Sequence, residues 1–362
     1  MENTNTLVID GKQAALECKN AASRCNLGLI IYLLVASCVA TAISFGLGVF
    51  EIFNPGSYEA ILANPLYKSI LVWGTQILAM YLIAYPAFYL FTKRLPRRDV
   101  SEKQKLTFME FIKLAIAAEG VMLIGSMVAG YVTDLLNEKL GIVVEDTTSE
   151  LISQTNIGII ILVVVIIGPI FEELIFRKIF IDTIGKNNIR LAILMSAASF
   201  ALFHGNITQA IYTFGAGLIL AFVYAKTKNF LYPALLHIFI NFFGTVPSLL
   251  VMDSYDRIMN MTEEELYAST DPAVYQDIMI LNAYTIMTYG FIILGAWFLL
   301  NMLFKGYFKL PKGDEVKIPF GKKLGILFFN WGTVIFVVYS LVTILLDIFT
   351  PLIEEMIAGM GV

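Results

Sequence analysis

The chain has 362 residues, of which 58% are hydrophobic and only 15% charged, with a formal net charge of −4. A soluble globule carries about a quarter of its residues charged, so this composition excludes one, and the acidic balance offers no basic surface for nucleic acid. Repeated apolar runs of roughly 20 residues, enough to cross about 30 Å of hydrocarbon as helix, instead define an all-α, polytopic membrane protein.

In chain order, residues 1–26 form a polar tail that the charge pattern assigns to the cytoplasm. About nine spans are then predicted, over 27–50, 70–92, 107–132, 157–184, 191–205, 209–225, 230–251, 279–304 and 324–348. The fifth and sixth are short and have the lengths of a tight hairpin that does not fully cross. Ala40-Thr41-Ala42 has the form of a cleavage site. The polar stretch before it is too long for a signal peptide, so the first run is expected to be retained. The runs divide the chain into the tail (1–26), a first group of helices (27–155), a core (156–251), and an outer loop with the last helices (252–362). Cys18, Cys25 and Cys38 have neither metal-knuckle nor redox spacing.

Alternate loops carry opposite charge. The loops 93–105, 185–190, 226–229 and 305–323 hold sixteen of the 25 Lys and Arg, whereas 133–150 and 252–271 are acidic. The positive-inside rule then places the amino terminus in the cytoplasm and the carboxyl terminus outside.

The fourth run contains GPIFEELIFRKIF, with Glu172, Glu173 and Arg177 inside an apolar stretch. Charges at membrane depth are costly, face protein or water, and usually serve function. Glu173 and Arg177 are four residues apart and can pair on one helix face. Glu172 is rotated about 100° from Glu173 and is left free for chemistry. The two histidines of the chain, His204 and His237, also fall in predicted spans. Phe200 precedes His204 by four residues and Asn241 follows His237 by four. At 1.5 Å per residue, Glu172, His204 and His237 lie roughly 18, 21 and 11 Å from the basic ends of their helices. Pro169 can kink the fourth span beside Glu172. Glu119, about 18 Å into the third span, is deep enough to line a cavity beside Glu172, but a structural role is expected. Glu110 and Lys113 are expected to pair or snorkel near the interface.

One carboxylate with two imidazoles suffices for hydrolysis. Glu172 can take a proton from a water held by His204, while His237 and Asn241 donate to an oxyanion. The same set, Glu172, His204 and His237, also has the composition of a site for zinc or another divalent ion, and both readings stay open. No His-Glu-x-x-His, Gly-x-Gly-Asp or Gly-x-Ser-Gly motif accompanies it.

In this order on successive helices, Glu172-Glu173-x-x-x-Arg177, Phe200-x-x-x-His204 and His237-x-x-x-Asn241 resemble the CPBP (Abi) family. That family includes CAAX prenyl proteases and bacteriocin-processing or self-immunity proteins. The resemblance covers about 155–250. It implies a multi-pass intramembrane endopeptidase of a bacterial plasma membrane, acting on a prenylated, leader or bacteriocin-type peptide. Glu172 would be the base, His204, His237 and Asn241 would assist, and Glu173, Arg177 and Phe200 would support the site. It also carries a non-enzymatic alternative, an immunity or scaffold protein, while a proton-coupled transporter is the rival outside the family.

Overall fold

The computed structural model describes residues 11–98, 104–142, 144, 147–186, 188–310, 318 and 320–359. The first ten residues of the polar tail and parts of the basic loops 93–105 and 305–323 lie outside the described residues. Among these residues nine main helices follow one another: α1 (Gly11–Phe53), α2 (Pro65–Thr92), α3 (Phe108–Leu140), α4 (Ile157–Ile184), α5 (Ile189–Phe203), α6 (Ile207–Thr227), α7 (Leu231–Met259), α8 (Pro272–Phe304) and α9 (Trp331–Gly359). Four short helices lie between them, and no strand occurs among the described residues.

All of these except α5 are long and apolar enough to cross a membrane. The expected fifth span is the exception: α5 has 15 residues, about 22 Å of helix against a hydrocarbon core of about 30 Å. The exposed side chains agree with a lipid environment. Ile286, Ile293, Trp297 and Leu300 of α8 are all more than half exposed, which in water would make a large apolar patch.

Polar side chains stop the helices where the sequence changes character. Thr107 and Glu110 form a reciprocal capping box at the start of α3, so Glu110 is occupied locally and is not the partner of Lys113. Asn188 and Asn206 accept from the backbone amides of Leu191 and Gln209 and cap α5 and α6. Between α6 and α7 the chain turns through Lys228, which has a positive φ of 53°.

The described part of the tail is not a separate segment. It continues α1, with Ala14, Cys18, Ala22 and Cys25 buried. Cys18 Sγ donates to the Ile184 carbonyl and Cys25 Sγ contacts Thr183 Oγ1, both at 3.2 Å, which fastens the tail to the end of α4. Deeper in the bundle, buried Asn26 accepts from Ser199 at 2.9 Å and donates to Thr333 at 2.9 Å, joining α1, α5 and α9.

Two hydrophobic clusters enclose the middle of the bundle. One joins α1, α2, α4 and α5 through Phe88, Phe176, Phe180 and Phe200; the other joins α3, α6 and α7 through Leu114, Leu220 and Leu236. Small residues let backbones meet. A Cβ on Gly120 of α3 would lie 2.7 Å from the Phe291 carbonyl oxygen and 3.0 Å from Gly295 Cα of α8. Gly130 on the same helix has nothing within 4 Å. Gly120→Ala is therefore expected to cost about 1–3 kcal/mol by overpacking. Gly130→Ala is expected to be neutral or slightly stabilising, as Ala is the better helix former. Thermal unfolding of the two variants in detergent checks the contrast.

Candidate active site

The site is built from α4, α5 and α7, and the irregularity of α4 sets its shape. Two stretches of α4, Ile161–Ile167 and Leu174–Ile179, are wound as π-helix, either side of the turn that carries Pro169, Glu172 and Glu173. In the first stretch the Gly168 amide donates to the Val163 carbonyl, five residues back. The next donor in that register is residue 169, a proline with no N–H, which leaves the Val164 carbonyl without its helical partner. Asn241 of α7 supplies it: its Nδ2 donates to Val164 O at 2.9 Å.

The adjacent glutamates part company as their helical positions require. Glu173 and Arg177 are both fully buried, and Arg177 Nε stands 3.0 Å from Glu173 Oε2. That contact is a charge pair without the alignment of a hydrogen bond, and Arg177 Nη2 has no hydrogen-bond partner either. The guanidinium is held on its other sides. Nη1 donates to Ser196 Oγ at 3.1 Å, Ser196 donates to the Phe176 carbonyl at 2.6 Å, and the Phe200 ring lies 4.7 Å from the guanidinium carbon. Glu173 Oε1 accepts from His237 Nδ1 at 3.0 Å. Glu173 thus bridges Arg177 on its own helix to His237 on α7.

Glu172 faces the other way, into a cavity of about 640 Å³ whose lining also includes His204, His237 and Asn241. Its side chain is 23% exposed, and its Oε2 is 3.6 Å from His237 Nε2. His204 caps the end of α5, with Nδ1 donating to the Phe200 carbonyl at 2.8 Å. A carbonyl only accepts, so Nδ1 carries the proton and Nε2 of the neutral ring is left with a lone pair. Phe200, 1% exposed, packs edge-on against both imidazoles, with ring centroids 4.9 Å from His204 and 5.6 Å from His237.

All seven residues named from the sequence therefore fall in one place: Glu172, Phe200, His204, His237 and Asn241 line the cavity, and Glu173 and Arg177 are buried beside it. Three roles were missed. Ser196 holds Arg177, Val164 receives Asn241, and Glu173 holds His237. Ser196 had a signal, since 196, 200 and 204 share one face of α5 at four-residue spacing. The Val164 contact had none, because a change of helical register is not written in residue type.

The donor chemistry of Glu172, His204 and His237 suits a divalent ion, and a carboxylate on His237 Nδ1 is a common way to orient a ligating imidazole. However, no three His, Cys, Asp or Glu side chains among the described residues stand close enough to hold one ion. In this arrangement the set does not close around a metal.

Residues 154–243 match the family described as type II CAAX prenyl endopeptidase Rce1-like. The chain is similar to the "Putative membrane peptidase YdiL" of Bacillus subtilis (strain 168), 29% identical over 171 residues, covering 46% of this chain and 68% of that protein. It is also similar to the "Membrane-embedded CAAX protease MroQ" of Staphylococcus aureus (strain USA300), 33% identical over 112 residues, covering 29% of this chain and 45% of MroQ. No solved structure matches. Eight apolar helices among the described residues make this a multi-pass integral membrane protein, and the matches over its core support a membrane peptidase of the CAAX type in general. The matched stretch is the one that carries the three motifs, and it supports the resemblance to the CPBP-family intramembrane proteases read from them.

Removing one partner of the buried pair leaves the other charge uncompensated. Arg177→Leu alone is expected to cost about 3–5 kcal/mol, whereas Arg177→Leu with Glu173→Leu should recover much of that loss. Thermal unfolding in detergent measures the cycle, and recovery without return of activity is expected because His237 then loses its support. Asn241→Leu orphans the Val164 carbonyl and should cost about 1–3 kcal/mol in the same assay.

Proposed function

We propose that this chain is an intramembrane endopeptidase in which Glu172 activates the attacking water. One observation carries the reading: of two adjacent carboxylates, Glu173 is buried in an ion pair, while Glu172 opens onto a cavity shared with both histidines.

The reaction follows from the atoms that face the cavity. Water lies between the Glu172 carboxylate and the lone pair of His204 Nε2, both of which accept its protons. Glu172 takes one proton as the oxygen attacks the peptide carbonyl. The tetrahedral oxyanion receives hydrogen bonds from the second N–H of Asn241 and from His237 when Nε2 carries a proton. Glu172 then returns its proton to the leaving nitrogen as the C–N bond breaks, leaving a carboxylic acid and an amine. Phe200 keeps the two imidazoles in place, and Glu173 with Arg177 fixes the orientation of His237.

The substrate belongs to the membrane. The Rce1-like family and MroQ are named for CAAX processing, and by that likeness the peptide comes from a membrane-associated protein, such as a prenylated CAAX segment, a leader peptide or a bacteriocin precursor. The basic loops set the amino terminus in the cytoplasm of a bacterial cell and open the reaction toward the inner half of the bilayer.

In proteoliposomes with a fluorogenic panel of prenylated CAAX and leader peptides, Glu172→Gln is expected to lower cleavage by about 10²–10⁴-fold while leaving expression intact. Retained cleavage would sink the assignment. Since the three candidate ligands do not converge, activity should survive a chelator. Loss that zinc restores would replace the proton-only route with a metal-assisted one. Protection from a toxin that persists in Glu172→Gln would favour the immunity reading.

A further inference from the structure

The catalytic set does not use every polar group of the cavity. Glu119, on α3, is 1% exposed and lines the same cavity as Glu172. Its Oε2 has no hydrogen-bond partner, and no salt bridge among the described residues includes it. A carboxylate taken out of water without a partner costs several kcal/mol. Helix packing does not account for it, because α3 meets α8 at the neighbouring Gly120 by direct backbone contact.

The charge of the cavity says what would complete it. Among the described residues its lining contains two carboxyl groups, Glu119 and Glu172, and neither a lysine nor an arginine. Arg177 is fully buried against Glu173 and Phe200 and does not line the cavity. A free peptide carboxylate entering here meets neither a lysine nor an arginine. A lysine or arginine side chain brings the positive charge and the N–H donors that Oε2 lacks. Ser126, Gln209 and Thr213 line the cavity as well and add polar atoms for the peptide backbone around it.

We propose that Glu119 receives a basic side chain of the peptide substrate, which makes α3 a specificity-determining wall for cleavage at Glu172. The inference rests on the peptidase reading, and it explains a membrane carboxyl that the sequence alone marks as structural. Acidic residues at the same substrate position are rejected by the two carboxyls.

Binding tests this without turnover. The full chain carrying Glu172→Gln is purified in detergent and titrated with fluorescent peptides of neutral sequence. One lysine is moved through successive positions, and each peptide is paired with its norleucine counterpart. In at least one register the lysine peptide is expected to bind about tenfold more tightly, and adding Glu119→Gln should bring the two affinities together. Equal affinities in every register overturn the proposal, as does a preference that survives Glu119→Gln. If the double variant does not fold, a glutamate peptide in the preferred register decides on the single variant. Weaker binding than norleucine supports the proposal, and equal binding overturns it. Lysine preference without cleavage by the unmutated chain would refute the endopeptidase reading and leave only the binding of a basic side chain at Glu119. Cleavage without lysine preference would do the reverse.

Discussion

The carboxylate of Glu173 is the constraint on which the site depends. It is fully buried, and it touches a guanidinium through one oxygen and an imidazole through the other. An isolated carboxylate at that depth is costly. With Arg177 beside it the charge is compensated, and what remains is a fixed acceptor that draws His237 of α7 toward α4. The Arg177 side is in turn held by Ser196 and Phe200 of α5. Three helices are thereby joined through one ion pair, and Glu172, the next residue, is delivered to the open side of that junction.

The second requirement is a helix that can be irregular without exposing its backbone to lipid. α4 changes register twice around Pro169 and the glutamates, and each change moves a carbonyl out of its ordinary partnership. At membrane depth such a group must find a donor in protein or water. Asn241 meets that need for Val164 and also lines the cavity. One side chain therefore both stabilises the distortion and takes part in the proposed chemistry.

Much of this was legible in the sequence because membrane insertion makes polar residues conspicuous. The spans at 157–184 and 279–304 coincide with α4 and the body of α8, and Glu172, His204 and His237 gather around one cavity as the order of their motifs implied. Periodicity also gave the Glu173–Arg177 pair, since four-residue spacing is a property of the helix itself. Tertiary partners were less accessible. That Glu173 reaches His237 depends on how α7 lies against α4, and that the polar tail joins α1 depends on Cys18 and Cys25 finding the end of α4. Glu119 shows the same limit. Its depth could be counted from the sequence, but whether a neighbour bonded to it could not.

The length of α5 connects these observations. A helix of 15 residues cannot cross the hydrocarbon, and its last carbonyls would be intolerable if they faced lipid. His204 answers part of the need through its ring and its amide, and Gly205, with φ of 72°, turns the chain so that its own amide reaches the Leu202 carbonyl. Asn206 then caps α6, whose first turn presents Thr208 and Gln209 to the cavity. The end of a helix at that level requires a polar, hydrated space beside it. Hydrolysis requires the same space, with a base on its wall and water within reach. The short helix and the proposed chemistry are thus two consequences of one arrangement: a break in the bundle that lets water approach Glu172 from the side opposite the buried ion pair.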